Sequence, residues 1–427
     1  MELVKRAPEI IGRFRWVICA LLLLGTTKNY MDRQILGVLK TTLQHDLGWS
    51  EIDYGNLVTA FQAAYAVGLL LVGRAIDRVG TRVGYAVAMV FWSLASMGHA
   101  IASSLTGFLV ARSALGLGES AVFPASLKAT AEWFPAKERA LATGILNAGT
   151  NVGAIVTPLI VPWITLRYGW RAGFVLVGAL GFAWVALWLL VYRKPEEDPH
   201  VGAAELAYIQ SDAPESKARI PWLSLLGRRQ TWAIVAAKFL IDPIWWFYLF
   251  WVPDFLERQH GLSLARIGLP VVVIYVISDA GSVVGGWLSS ALIHRGKSVN
   301  AARKIAMLVC ALAVAPIVDA YRTAGLWTTV VLIGLAAAGH QGFSCNLLTL
   351  PSDMFPKRAV ASVVGIGGMA GAVGGMLIAT LVGHVLQWTG SYMIPFLIAG
   401  AAYPLALASL HALAPKLEPA KFVESSQ

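Results

Sequence analysis

Charge is scarce in this 427-residue chain: Asp, Glu, Lys and Arg make up only 14% of it. A soluble protein of this length needs far more polar surface, so a water-soluble globular fold is excluded. Cysteine is scarce too, and Cys19, Cys310 and Cys345 all fall in or near apolar runs. They show no metal-ligand spacing, and no disulfide framework is expected. The sequence lacks a nucleophile–base set and a metal cluster, so neither an enzyme nor a bound cofactor is expected. Acidic residues are fewer than basic ones, 24 against 34, which leaves a net charge of +10. That balance could suggest a nucleic-acid partner, but its distribution along the chain argues otherwise.

What the chain has is apolar length. It is 57% hydrophobic, with a mean hydropathy of +0.64. Runs of about 20 apolar residues, each able to cross ~30 Å of hydrocarbon, recur along it. The pattern predicts twelve membrane helices, at 16–39, 54–76, 83–104, 107–128, 141–163, 171–192, 231–255, 267–293, 304–321, 326–350, 360–387 and 391–413. Backbone groups in lipid must bond internally, so an all-α integral membrane fold follows. With the N-terminus in the cytoplasm, 23 Lys and Arg fall on the cytoplasmic side and 6 on the other. The first group includes Arg78, Arg82, Arg193, Lys217, Arg219 and Arg229; the second includes Lys40 and Arg258. This is the positive-inside bias, and it supports both termini inside a plasma membrane. The first helix carries Lys28, Asp32 and Arg33 and lacks a small-residue cleavage site, so a retained helix is expected and not a signal peptide.

Residues 193–230 break the apolar pattern with a mixed-charge stretch. They divide the chain into a first six-helix half (1–192), a cytoplasmic linker (193–230) and a second half (231–427). A short surface helix is expected within 202–211. The halves repeat: Glu132-Trp133-Phe134-Pro135 matches Asp353-Met354-Phe355-Pro356 at an offset of 221, as do Gly144 with Gly365, Gly153 with Gly374 and Gly169 with Gly390. Parallel repeats suit two halves rocking about a midplane site. Gly149 and Gly153, Gly281 and Gly285, and Gly367, Gly371 and Gly375 have the four-residue spacing of close helix crossings. These stripes either pack statically or let the two halves slide.

Ionisable residues at membrane depth are costly and mark functional pathways. Here they are Lys28, Asp32, Arg33, Arg112, Glu119, Lys238, Asp242 and Asp279. Lys128 is expected to snorkel at the cytoplasmic end of the fourth helix. Arg112 and Glu119 lie on one stripe of that helix, ~10 Å apart along the axis, so each should meet groups on the first helix. Asp32 and Arg33 point about 100° apart, so one can face Glu119 while the other faces the cavity. Proton coupling needs desolvated carboxylates, and Asp32 and Glu119 qualify; a purely structural ion network is the alternative. Lys28–Asp32 and Lys238–Asp242 are i,i+4 pairs that can simply neutralise each other. Pro243 is expected to kink the seventh helix beside Asp242. Asp279 is either a partner in the second half or a packing anchor.

Tyr30, Gln62, Tyr65, Asn147, Asn151, Trp245, Trp246, His340 and Gln341 add hydroxyl, amide and aromatic groups. Such groups hold sugar hydroxyls and C–H faces, while Arg grips carboxylates with a bidentate fork. Together with Arg33, Arg112 and Lys28 the set suits a polyhydroxy acid. Trp16, Trp163, Trp170 and Trp327 are expected in an interfacial belt; Trp245 and Trp246 fit either a belt or a site.

The segment Gly73-Arg74-Ala75-Ile76-Asp77-Arg78-Val79-Gly80-Thr81-Arg82 reads G-x-x-x-D-R-x-G-x-R. Its ions could hold one gate conformation and release another. It resembles the loop between the second and third helices of the major facilitator superfamily. Further stretches, Asn29–Arg33, Arg112–Glu119, Leu127–Arg139, Lys238–Trp245 and Gly339–Gln341, resemble the anion:cation symporter family within it, and its hexuronate transporter branch most. The resemblance spans nearly the whole chain. It implies proton-driven import of an organic anion by alternating access. It implies protonation at Asp32 and Glu119, and substrate or coupling roles for Tyr30, Arg33, Tyr65 and Arg112. Gating falls to Gly73, Asp77, Arg78 and Arg82. Thr150 departs from the pattern where some relatives have glutamine, so Asn147 or Asn151 could supply that contact, and Lys28 is an additional cation. The expected partners are an anionic sugar, protons and the bilayer, for a monomeric carrier. An importer of an aldonate or small carboxylate, an exporter, and a membrane sensor are the rival readings.

Overall fold

The computed structural model describes residues 12–211 and 222–420. Lys217 and Arg219 of the linker lie outside them, and the surroundings of Gly73 and Arg74 are not among those described. Helices α1 (Arg15–Val38), α2 (Lys40–Leu47), α3 (Glu51–Val79), α4 (Thr81–Ile101), α5 (Leu105–Glu119), α6 (Val122–Trp133), α7 (Ala136–Tyr168) and α8 (Trp170–Val191) build the first half. Two short helices, α9 (Ala203–Ile209) and α10 (Trp222–Leu226), follow. The second half consists of α11 (Arg229–His260), α12 (Gly268–His294), α13 (Val299–Val314), α14 (Ile317–Arg322), α15 (Leu326–Met354), α16 (Lys357–Thr389) and α17 (Met393–Leu413).

Among the described residues ten helical stretches are long and apolar enough to cross a membrane. The two expected spans outside that number are 16–39 and 107–128, the stretches that hold Lys28, Asp32, Arg33, Arg112 and Glu119. Their ions are buried against protein, which is how a charged helix is tolerated at membrane depth. The outward surface is apolar, with Leu71, Leu190, Val283 and Trp287 all more than half exposed. Trp163 and Trp327 are exposed as a belt requires, whereas Trp170 is buried, packed against Phe108 and Phe174.

Prolines explain where the expected helices divide. The stretch 107–128 separates into α5 and α6 at Ser120–Ala121 because Pro124 has no N–H for the Ser120 carbonyl. Pro316 divides 304–321 in the same way. The seventh expected helix, α11, instead runs unbroken through Pro243 and Pro253. At Gly80, φ is +92°, so only glycine is comfortable in the turn joining α3 to α4.

The repeat is present in space. Helices α7 and α16 are both 33 residues long and start 221 residues apart, at Ala136 and Lys357. Both end on a positive-φ glycine, Gly169 and Gly390. Glu132 accepts from Thr81 at the start of α4, and its counterpart Asp353 pairs with Arg303 near the start of α13. The linker helix expected in 202–211 is α9. It docks on the first half, where Glu205 accepts from the Phe14 and Arg15 amides and from the Arg15 guanidinium.

The glycine stripes pack chiefly within halves, with Gly375 also meeting Gln62 of the other half, which corrects the reading of them as sliding faces. Gly149 and Gly153 rest on α1, and Gly281 and Gly285 on α15. Gly367 and Gly371 rest on α11, as Gly375 does beside Trp246. The halves approach each other through other glycines: Gly37 on Leu249 and Phe250, Gly55 on Ala379 and Gly383, and Gly268 on Pro158. These contacts sit toward the end of the bundle far from the described chain ends. They reach inward as far as Gln62 beside Gly375.

Candidate functional site

Below those contacts, α1 carries Lys28, Tyr30, Asp32 and Arg33 within two turns, and α3, α4, α5 and α11 close around them. Arg33 Nε donates to Glu119 Oε2 at 2.7 Å, with both side chains buried. Glu119 thus meets the first helix as expected, whereas Arg112, expected to do the same, makes no hydrogen bond to it. Asp32 turns the other way. Its Oδ2 lies 2.6 Å from Lys28 Nζ, and its Oδ1 accepts from Ser96 of α4 at 2.7 Å. It is fully buried inside the first half and does not face a cavity between halves. Lys28 also donates to Ser93 and lies over the Trp92 ring, so its neighbours all belong to the first half. The adjacent positions diverge by about 100°, so one carboxylate–cation pair is internal and the other meets the opposite half.

Arg33 occupies an aromatic box. Its guanidinium carbon is 4.7 Å from the ring centre of Tyr65, 5.2 Å from Tyr30, 5.3 Å from Phe61 and 5.3 Å from Trp246. The fourth wall comes from α11, so this cation touches both halves. Phe61 also lies 5.8 Å from Arg112. Arg112 is completely buried, and none of its three guanidinium nitrogens has a protein hydrogen-bond partner. Glu119 Oε1, Arg33 Nη2 and both amide atoms of Gln62 are likewise buried without a partner. Buried polar groups are nearly always satisfied, so such a concentration leaves donors and acceptors here for a polar molecule to meet.

The second half contributes a row on α11. Lys238 Nζ lies 2.8 Å from Asp242 Oδ2, and Trp246 follows one turn later. This pair is more accessible than those on α1, with 11% and 20% of the two side chains exposed. Trp245 stacks on His340 at 5.1 Å and lies beside Tyr30. His340 in turn bonds the Tyr403 hydroxyl at 2.8 Å. Asn147 is exposed on α7, Asn151 lies beside Asp279 of α12, and Gln341 is half-buried on α15. Gln62 and Trp246 stand among the amide and aromatic groups noted in the sequence but are not singled out there for the site, since one amide and one of two adjacent tryptophans look like packing.

The two ends of the bundle differ. At the far end Lys40 is fully buried and bonds both Glu51 of its own half and Asp254 of the other, each at 2.7 Å. Arg258 closes the ring by pairing with Asp254 at 3.0 Å and with Glu51, and the Tyr392 hydroxyl donates to Asp254. Tyr54 donates across the halves to the Phe250 carbonyl at 2.8 Å. In the sequence Lys40 and Arg258 count only as external-side charges, with nothing to pair them. At the opposite end the expected gate residues stay within the first half: Asp77 pairs with Lys128 at 3.0 Å, Arg82 donates to the Leu189 carbonyl, and Arg78 is exposed. The Asp77 pairing also gives Lys128 a partner where snorkelling was expected.

The Major Facilitator Superfamily profile matches residues 22–379. The chain belongs to this superfamily. It is 34% identical over 389 residues to the hexuronate transporter of Escherichia coli strain K12, covering 89% of each chain. It is 34% identical over 284 residues to the galacturonate transporter of Dickeya chrysanthemi, covering 65% of this chain and 82% of that one. The crystal structure of a D-xylose-proton symporter superposes with a TM-score of 0.73 over 95% of this chain and 99% of that one, at 16% identity. This superfamily member is thus a multi-pass membrane transporter and not an enzyme.

Proposed function

We propose that the protein imports a hexuronate together with protons by alternating access through twelve membrane helices, both termini lying in the cytoplasm of a bacterial cell. The observation that carries this reading is the buried Arg112 without a protein partner, next to the Arg33–Glu119 pair. With both carboxylates ionised, Lys28, Arg33 and Arg112 outnumber Asp32 and Glu119 by one charge, which one substrate carboxylate would neutralise. A proton on Glu119 releases Arg33 from its partner. Arg33 and Arg112 then offer the forked donors that carboxylates bind best. Substrate and proton favour each other at such a site, and linkage makes the coupling reciprocal.

In this scheme Asp32, held by Lys28 and Ser96, is the second protonation site. Tyr30, Tyr65, Trp246 and Trp245 supply faces for the sugar, and Asn147, Asn151, Gln62 and Gln341 bond its hydroxyls. The seal around Lys40 closes the external side and the gate loop near Asp77 opens the cytoplasmic one. The names of the two sugar-acid relatives support the substrate class.

The test is uptake of labelled galacturonate and glucuronate into proteoliposomes with and without an inward proton gradient. Gradient-stimulated uptake abolished by a protonophore is expected. Uptake indifferent to the protonophore would sink proton coupling, and no uptake of either acid by inserted protein would sink the substrate.

A further inference from the structure

The Lys238–Asp242 pair is an ionic feature of the bundle centre that the scheme above leaves unused. It lies on the same stripe of α11 as Trp246, at i, i+4 and i+8. Helix α16 is cut away beneath that stripe. A Cβ at Gly371 would come 2.1 Å from Asp242 Oδ2, and one at Gly367 would come 3.0 Å from Lys238 Cδ. One at Gly375 would come 2.9 Å from Trp246 Cδ1. The three glycines thus seat the three side chains, and the ion pair stays partly accessible. Trp246 walls the Arg33 box, so the row leads away from the place where a carboxylate would dock. Asp242 is one turn farther along, ~6 Å on the axis, about the reach of a six-carbon sugar.

We propose that Lys238 and Asp242 are specificity-determining residues that bind the hydroxyl end of the sugar acid and reject substrates with a second carboxylate there. The inference rests on the hexuronate reading. Its chemistry is direct. A sugar hydroxyl is both donor and acceptor, so it can give to Asp242 and receive from Lys238 at once. A carboxylate only accepts. It can approach Lys238 only beside the Asp242 charge, and in a low-dielectric site that repulsion selects against it. Lys238 alone would attract a dianion; paired, it does not.

Full-length protein in proteoliposomes provides the test, through competition by unlabelled galacturonate and by galactarate, its dicarboxylate counterpart, against labelled galacturonate exchange. Wild type is expected to take galactarate at least ~10-fold more weakly than galacturonate, a difference of ~1.4 kcal/mol. Asp242→Asn frees the Lys238 charge and is expected to narrow that ratio by about 10-fold, chiefly through tighter galactarate binding. If Asp242→Asn is lost from the membrane, Lys238→Gln/Asp242→Asn keeps an amide hydrogen bond without charge and should narrow the ratio in the same direction. An unchanged ratio in a variant that still exchanges galacturonate overturns the proposal alone, as does equal competition by the two acids in wild type. Absence of galacturonate exchange in wild type overturns the hexuronate reading and this inference with it.

Discussion

Lys40 Nζ of the first half and Asp254 Oδ2 of the second lie 2.7 Å apart, with Lys40 fully buried, and they tie the halves together at one end only. Opening that end must separate them. Removing Lys40 leaves Arg258 as the one cation shared by Asp254 and Glu51, a smaller loss than the about 3–5 kcal/mol of a fully uncompensated buried charge. Lys40→Met should therefore weaken the closed seal and shift the population toward the state open at that end. Labelling of a cysteine introduced at Thr59, which bonds Thr380 across the halves, should speed up in the variant. Labelling at the wild-type rate would mean that helix packing, and not the ion cluster, holds the seal.

Glu119→Gln keeps the size of the side chain and one acceptor for Arg33 but removes the proton site. Exchange of substrate across the membrane should survive, while accumulation driven by a proton gradient should be lost. Wild-type uptake should rise as external pH falls, because protons are co-substrates, and the variant's exchange should be flat with pH. Gradient-driven accumulation by Glu119→Gln would move the coupling role to Asp32, whose Lys28 and Ser96 partners make it the other buried carboxylate of the site.

Arg112→Lys retains the charge and removes the planar fork. If the substrate carboxylate docks on Arg112, the change should cost about 1.5–3 kcal/mol of binding, the range for a hydrogen bond to a charged group. That corresponds to a KM raised by roughly 10- to 100-fold. Arg112→Ala should bind no better than the lysine variant. An unaltered KM in Arg112→Lys would leave Arg33 as the sole carboxylate ligand.

The superfamily, the halves and the buried ions of α1 and α5 were legible because each rests on local chemistry. Apolar length gives helices, and a charge inside such a run stands out. The Arg33–Glu119 pairing was also within reach, since helical geometry leaves Glu119 no partner on its own helix. Other features depend on which faces meet in three dimensions. The seal at Lys40 unites residues more than 200 positions apart, and in sequence its members look like ordinary loop charges. The glycine stripes announced close packing without naming the partner, so sliding between halves and packing within them read alike. Asp32 illustrates the same limit: its angle to Arg33 was predictable, but which of the two faces the other half was not.

Gly371 and Gly368 allow that packing to be tested on one helix. Both are on α16, three residues apart, and glycine to alanine makes the same chemical change at each. At Gly368 nothing lies within 4 Å of an added Cβ. Alanine there should be neutral or should stabilise by up to ~1 kcal/mol, the difference in helix propensity. At Gly371 the added carbon would meet the Asp242 carboxylate at 2.1 Å, so either Asp242 leaves its place beside Lys238 or α16 moves off α11. Overpacking of this kind costs about 1–3 kcal/mol, more than propensity returns. Gly371→Ala should therefore lower the unfolding temperature in detergent and impair uptake, while Gly368→Ala does neither. If the two variants unfold alike, the carboxylate swings aside at no cost. The notch at Gly371 would then not be what seats the Lys238–Asp242 pair.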